Sequence, residues 1–150
     1  MNLPVVLLLV CFLAAGACRQ PDLTIESGPP DVDVSVTGLP GGSLRLGPWT
    51  VANRGGRRTG AVVGSYHLSP DAEVTFQDRQ LKGDANLSID GLRPGQTHTF
   101  PADPRIAIPD DVEPGTYYFG ILVDGPNQVQ ESDESNNSAV VRIGIVRREE

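Results

Sequence analysis

The fold class that this sequence predicts is all-β, a sandwich of short antiparallel strands. Three observations predict it. Apolar residues recur with period two, the signature of half-buried strands. Thirteen prolines and 17 glycines cut the chain at short intervals. No stretch carries the 3.6-residue period of a surface helix. In chain order, Leu23 and Ile25 alternate with Asp22 and Thr24, and Val32, Val34 and Val36 alternate with Asp31, Asp33 and Ser35. Leu44 and Leu46 form the next inward pair, and the phase then flips to Trp49 and Val51 across Gly47-Pro48. A one-residue slip turns a strand's side chains to the other face, so a bulge or kink is expected there. Val62, Tyr66 and Leu68 read as inward, with Val63, Ser65 and His67 outward. Ser69 to Asp90 reads as polar, with Leu81 its one apolar marker, and Gly91 to Gly95 as a turn. Thr97–Phe100 and Ile106–Ile108 are short strand candidates. Thr116–Val123 is the clearest strand, with Tyr117, Phe119, Ile121 and Val123 on one face. Ala139–Val146 is the last, with Ala139, Val141, Ile143 and Ile145 inward. About seven strands separated by turn signals make a sandwich. Aromatic residues are few, so Val, Ile and Leu must supply most of the core, with Trp49 expected near its centre.

The chain has 150 residues, the size of one domain. Residues 1–17 read as an export signal. The apolar run Leu3–Ala15 falls short of the roughly 20 residues that span a bilayer. It ends in Ala15-Gly16-Ala17, the small-x-small pattern of a cleavage site. No Lys or Arg precedes the run, and a buried N-terminal strand is the alternative reading. Cys18 comes next. Leu13–Cys18 resembles the lipobox of bacterial lipoproteins, although Ala15 stands where that motif prefers a larger apolar residue. The resemblance implies lipidation of Cys18 and a membrane anchor; ordinary cleavage after Ala17 would instead release the chain. The other cysteine, Cys11, lies within the signal, so the mature chain would hold no internal disulfide. The domain is then expected over residues 18–146, followed by a charged tail, 147–150.

Net charge is −7, from 19 acids and 12 bases. Phosphate binding needs clustered Lys and Arg, so nucleic acid is not an expected partner. The one basic run, Arg54 with Arg57 and Arg58, sits among glycines and reads as a solvated loop tip. Between Arg105 and Arg142 there is no base, yet Asp110, Asp111, Glu113, Asp124, Glu131, Asp133 and Glu134 all fall there. An acidic region of surface is expected.

Several motifs run the length of the mature chain: Pro21-Asp22-Leu23, Val51-Ala52-Asn53-Arg54-Gly55, Tyr66-His67-Leu68-Ser69, Leu92-Arg93-Pro94-Gly95 and Pro114-Gly115-Thr116-Tyr117-Tyr118. Val123-Asp124, Val129, Glu131 to Glu134 and Asn136-Asn137 close the series. In these the chain resembles CARDB, the cell-adhesion-related domain found in bacteria. The resemblance implies an immunoglobulin-like seven-stranded antiparallel β-sandwich in an exported protein. Such domains are usually accessory modules beside others, whereas here the module is expected to stand alone behind its signal.

Candidate chemistry concentrates in the closing stretch, Val123 to Ile143. An EF-hand loop needs alternating oxygen ligands, a glycine at the sixth position and a glutamate at the twelfth. From Asp133 those places hold Ser138 and Gly144, so that template fails. A non-standard calcium site could still draw on Asp124, Glu131, Asp133, Glu134, Asn136 and Asn137. The same residues also read as turn and loop chemistry. His67 and His98 fall on different strands, which disfavours zinc. Gly64-Ser65-Tyr66-His67 lacks the second glycine of a nucleophile elbow. In an aromatic platform for sugar, Tyr118 alone is suspect, because Trp49 and Tyr117 read as core. The function expected is non-catalytic: an adhesion or scaffolding module, exported and held at the cell envelope by Cys18 or secreted, with a protein or polysaccharide surface as partner and no cofactor required. The alternative is a calcium-dependent carbohydrate- or surface-binding module. A hydrolase built on Ser65, His67 and nearby acids comes third.

Overall fold

The structure, a computed structural model, describes residues 20–27 and 37–147. The expected export signal, Cys18, the alternation at Val32, Val34 and Val36, and the last residues of the expected tail lie outside the described residues.

Strand alternation becomes a two-layer sandwich. In the first layer β1 (Leu23–Ser27) and β4 (Trp49–Asn53) pair antiparallel, and β4 pairs in turn with β8 (Thr97–Phe100). β3 (Ser43–Leu46) pairs with β9 (Asp103–Ala107). Trp49 stands opposite Phe100, and Leu44 opposite Ile106. β3 and β4 are therefore one bent strand, running beside β8 and β9 as another. The bends fall at Pro48 and Pro101, which have no N–H to give a ladder. Between Leu44 and Leu46 the register slips by one, Leu44 facing Ile106 and Leu46 facing Asp103. This irregularity and the break after it lie where the sequence phase flips, and Leu44, Leu46, Trp49 and Val51 are all buried.

The second layer has the order β2 (Thr37–Gly38), β11 (Ser138–Ile145), β10 (Gly115–Val123), β5 (Val62–Ser69), β6 (Arg79–Leu81), with β7 (Ser88–Ile89) also on β5. Its pairings are antiparallel except β2 with β11. Between the layers Trp49 stacks on Phe100, with ring centroids 4.2 Å apart, and Tyr66 lies against Phe119. Leu23, Val51, Ile106, Ile121, Ile143 and Ile145 complete the centre. No helix occurs among the described residues. The fold is all-β, an immunoglobulin-like sandwich.

Two readings need correction. The segment from Ser69 to Asp90 is not simply polar: Val74, Leu87 and Ile89 are buried in it, and it contributes β6 and β7. Ser65 and His67 do not face solvent, His67 being only 1 % exposed. The cause is tertiary. The 70–78 loop crosses the outer face of β5 and β10. Val74 closes on Gly120, where an added Cβ would come 2.5 Å from its methyl carbon. Phe76 lies over the His67 ring, centroids 6.0 Å apart.

Candidate functional site at the closing loop

β10 ends at Val123, and the chain turns at once. Asp124 and Asn127 take positive φ, 52° and 53°, a conformation that Asp and Asn tolerate better than most residues. The Asn127 N–H donates to the Asp124 carbonyl at 2.7 Å, closing the turn. The buried Asp124 carboxylate then accepts from the N–H groups of Gln128 (3.0 Å) and Val129 (2.7 Å). Val129 packs against the core and pins the loop.

The returning half is stitched to β1. Glu131 is buried; its Oε2 accepts from the Leu23 N–H and its Oε1 from the Asn137 amide at 2.8 Å. The Ser132 N–H donates to the Pro21 carbonyl, and the Asn136 amide to Asp22 Oδ1 at 2.8 Å. Glu134 Oε1 accepts from the Glu131 N–H. With its nitrogen turned toward acceptors, the Asn127 amide donates to Glu134 Oε2 at 3.0 Å and to the Val129 carbonyl at 3.2 Å. Asp133 stands apart, accepting from the backbone and hydroxyl of Ser135, which lowers its pKa.

Of the six residues singled out for calcium, Asp124, Glu131, Glu134 and Asn137 therefore come together. Asp133 points to the loop tip, and Asn136 to Asp22. Among the described residues no three acids, histidines or cysteines gather in a metal-holding arrangement. The carboxylates of Asp124 and Glu131 are directed at protein donors, so the six to eight oxygens that calcium prefers are not assembled. What the arrangement does create is concentrated negative charge. Burial, with Glu134 and Asp124 adding to it, pushes the Glu131 carboxyl up to about 7, against the opposing pull of the Leu23 N–H and the Asn137 amide. The side-chain oxygens of Asn136 and Asn137 are buried without a hydrogen-bond partner.

The same start of β1 is also held by Asn53, at the end of β4, which is fully buried. Its Oδ1 accepts from the N–H groups of Asp22 and Gly55. Its Nδ2 donates to the carbonyls of Arg57 (2.7 Å) and Leu92 (2.9 Å). One side chain thus joins the start of the domain, the arginine loop and the Leu92 turn. Gly55 follows because a side chain there would come 2.2 Å from the Gln20 carbonyl oxygen.

A CARDB family model matches residues 20–141. The chain belongs to the CARDB family. Among solved structures, the CARDB domain of PF1109 from Pyrococcus furiosus, determined in complex with di-metal ions, is 22 % identical with a TM-score of 0.54, covering 85 % of this chain and 90 % of that one. A solution structure of the same domain gives 22 % identity and a TM-score of 0.52 over 85 % of this chain and 97 % of that one. The 272–376 domain of a candidate cell surface protein from Methanosarcina acetivorans is 20 % identical, with a TM-score of 0.53 over 85 % of this chain and 94 % of that one. These likenesses establish a shared fold. No curated protein matches the chain.

The partners of further polar groups of this CARDB domain were not legible in the sequence. Asp103 is fully buried, with Oδ1 accepting from the N–H groups of Asp84 and Arg105 and Oδ2 from that of Ala85. It replaces water for a loop that lies over the core, and a lone Asp-Pro pair in the sequence does not announce it. Next to it the Tyr66 hydroxyl has its pKa pushed well up by burial, with Asp103 adding. The hydroxyl of Tyr66 and the indole N–H of Trp49 are buried without a well-formed partner. On the outer face His67 Nδ1 lies 3.1 Å from the Asp78 carbonyl. A carbonyl only accepts, so Nδ1 carries a proton toward it, and Nε2 lies 2.9 Å from the Ser65 hydroxyl. That pair holds the 70–78 loop onto β5, beneath Phe76. Trp49 is core as expected, Tyr117 packs against the core, and Tyr118 is half-buried beside Arg142 and Ser69 in the register. In the arginine loop Arg54 pairs with Glu26, and Arg57 and Arg58 are exposed.

Proposed function

We propose that this CARDB domain is a non-catalytic binding module of an exported protein, acting in adhesion or scaffolding at the cell envelope through an anchor at Cys18. The observation that carries the reading is the family match over residues 20–141, joined to a sandwich whose closing loop is rigidly held and strongly acidic. The name of the Methanosarcina domain, a candidate cell surface protein, supports an envelope location. The ligand would be a protein or polysaccharide surface. To test this, the fluorescently labelled mature chain is mixed with bacterial envelopes or immobilised cell-wall polysaccharide. Saturable retention, displaced by excess unlabelled protein, is the expected outcome. Retention that never saturates on either surface would sink the reading.

A second reading is favoured by one observation: the Pyrococcus furiosus relative was determined with di-metal ions. In it the module is calcium-dependent, with Asp124, Glu131 and Glu134 supplying oxygens once the loop relaxes, and calcium stabilises without taking part in any reaction. Thermal unfolding with EDTA and with millimolar calcium decides. A ligand at 100 times its Kd stabilises by about 2.7 kcal/mol, and each kcal/mol moves the midpoint of a domain this size by roughly 2–6 °C. A rise abolished by Glu134→Ala supports calcium. An unchanged midpoint leaves these acids as loop chemistry.

A further inference from the structure

We propose that the arginine loop and the Leu92 turn form a docking face for a bilayer rich in anionic lipid, which Arg57, Arg58 and Arg93 meet when the chain is anchored at Cys18. The inference deepens the anchored-module reading and rests on it. Its basis is where the chain enters the sandwich. The Gly56 N–H donates to the Gln20 carbonyl at 2.9 Å, and the Arg54 N–H to the Asp22 carbonyl at 2.7 Å. Asn53, bonded to Asp22, Arg57 and Leu92, ties the entering chain, the arginine loop and the turn together. Gln20 is therefore fixed against the arginine loop, and Cys18 stands two residues before it. Two residues span at most about 7 Å. An acyl chain on Cys18 would bring this end of the sandwich to within about 10 Å of the lipid headgroups, one Debye length at ordinary ionic strength.

The face has the chemistry for that partner. Arg57, Arg58 and Arg93 are exposed, and none of the three ion pairs among the described residues engages them. Arg58 reaches only the Asp90 carbonyl, at 3.5 Å. Arg58 and Arg93 wall an open concavity of about 530 Å³, lined also by Gly91, Pro94, Gly95 and Gln96. Guanidinium groups bind phosphate oxygens with two parallel N–H bonds, so a lipid phosphate between these two arginines is well matched. The acids on this side are Glu26, already paired with Arg54, and Asp90.

The spread of charge favours the same orientation. β5 ends and β10 begins at the far end, where Asp71, Glu73, Asp110, Asp111 and Glu113 are exposed. Its bases are Arg79, held by Asp111, and Arg147 beside Glu113. An anionic surface repels that end. The near end is itself divided by the entering chain. On its other edge the Pro21 carbonyl accepts from the Ser132 N–H, and the Leu23 N–H donates to Glu131. Asp133 and Glu134 thus lie across β1 from the arginines, and the domain must tilt onto its arginine side.

For the test, the isotope-labelled mature chain, residues 18–150, is coupled through its one thiol, Cys18, to a maleimide lipid in nanodiscs. The outcome then does not depend on lipidation in the cell. The discs are phosphatidylcholine alone or rich in phosphatidylglycerol, each with a trace of gadolinium-headgroup lipid, and backbone amide relaxation is read residue by residue. Each arginine near an anionic surface adds about fivefold to membrane residence. Relaxation at Arg54–Gly60 and Gly91–Gln96 should be several-fold stronger on the phosphatidylglycerol discs and should fall as salt screens the surface. It should also exceed relaxation at Asp124–Asn137. Arg58→Gln combined with Arg93→Gln, both exposed changes, should return it to the phosphatidylcholine level. Equal relaxation on the two discs, relaxation strongest at the closing loop, or no response to the paired substitution would each overturn the proposal. So would sodium phosphate, at matched ionic strength, giving saturable shifts at these residues and releasing the face from the disc, which would assign the arginines to a soluble anion. Failure on the discs while the native chain still enters a detergent phase would remove the docking face and leave the anchor standing. A native chain found in the aqueous phase would remove the anchor itself.

Discussion

Asn53 illustrates how much of this fold depends on single polar side chains. All of its capacity is used, two bonds accepted and two donated, at a site closed to water. Each partner left unsatisfied in a buried place costs about 1–3 kcal/mol. Asn53→Ala is therefore expected to destabilise the domain by roughly 3 kcal/mol, read as a lower urea midpoint at unchanged slope. Asn53→Asp should be no better, because it sets a carboxylate oxygen against the Arg57 and Leu92 carbonyls. A loss below about 0.5 kcal/mol in both variants would mean that water replaces the network. The importance of Asn53 was visible in the sequence only as part of the motif Val51-Ala52-Asn53-Arg54-Gly55. Its burial was not, since strand alternation at Trp49 and Val51 places position 53 inward without saying what an inward amide would bond.

At the scale of elements, the limits of the longest strands were legible, whereas β6, β7 and the start of β9 were not. Gly115–Val123 and Ser138–Ile145 lie within one residue of where alternation places them. The outer face of β5 was not legible. Alternation assumes that one face meets water, and here the 70–78 loop, with Val74 and Phe76, covers that face instead. The closing loop carries the pH prediction. The Glu131 pKa rises from the ordinary 4.5 to about 7 in the folded state. Folding then favours the protonated acid, so its stabilising contribution is complete below about pH 4.5 and is lost as pH rises to about 7. Glu131→Gln does not titrate, so its stability should gain on wild type steadily across that window and hold level above it. The lowered carboxyls of Asp78, Asp111 and Asp133 are common to both proteins and cancel in the difference. Urea unfolding at half-unit pH steps checks this, and a stability difference that stays flat from pH 4.5 to 7 would contradict it.

For the whole molecule, the open question is attachment. The proposed export signal and Cys18 lie ahead of the described residues, and the proposed anchor is tested on the intact chain. On detergent phase partitioning the wild-type protein should enter the detergent phase and Cys18→Ser the aqueous phase. A lipid anchor adds roughly 0.8 kcal/mol of membrane affinity per buried methylene, enough for a decisive shift. Wild type already found in the aqueous phase would replace anchoring by free secretion.

The sequence by itself determined the all-β class, the bend at Gly47-Pro48, the family, and the acidic, base-free character of the segment from Arg105 to Arg142. Each of these is local: side-chain period, proline's missing donor and the order of charges are all written along one dimension. Only the tertiary structure decided which acids meet. Asp124, Glu131, Glu134 and Asn137 converge because Val129 docks on the core and β1 takes up Glu131, while Asp133, in the same run of acids, is left at the tip. It also decided that His67 is sealed and that the Asn137 oxygen lacks a donor. Burial and hydrogen-bond satisfaction depend on contacts between residues far apart in the chain, such as the 108-residue separation of Leu23 and Glu131, and no local pattern encodes those.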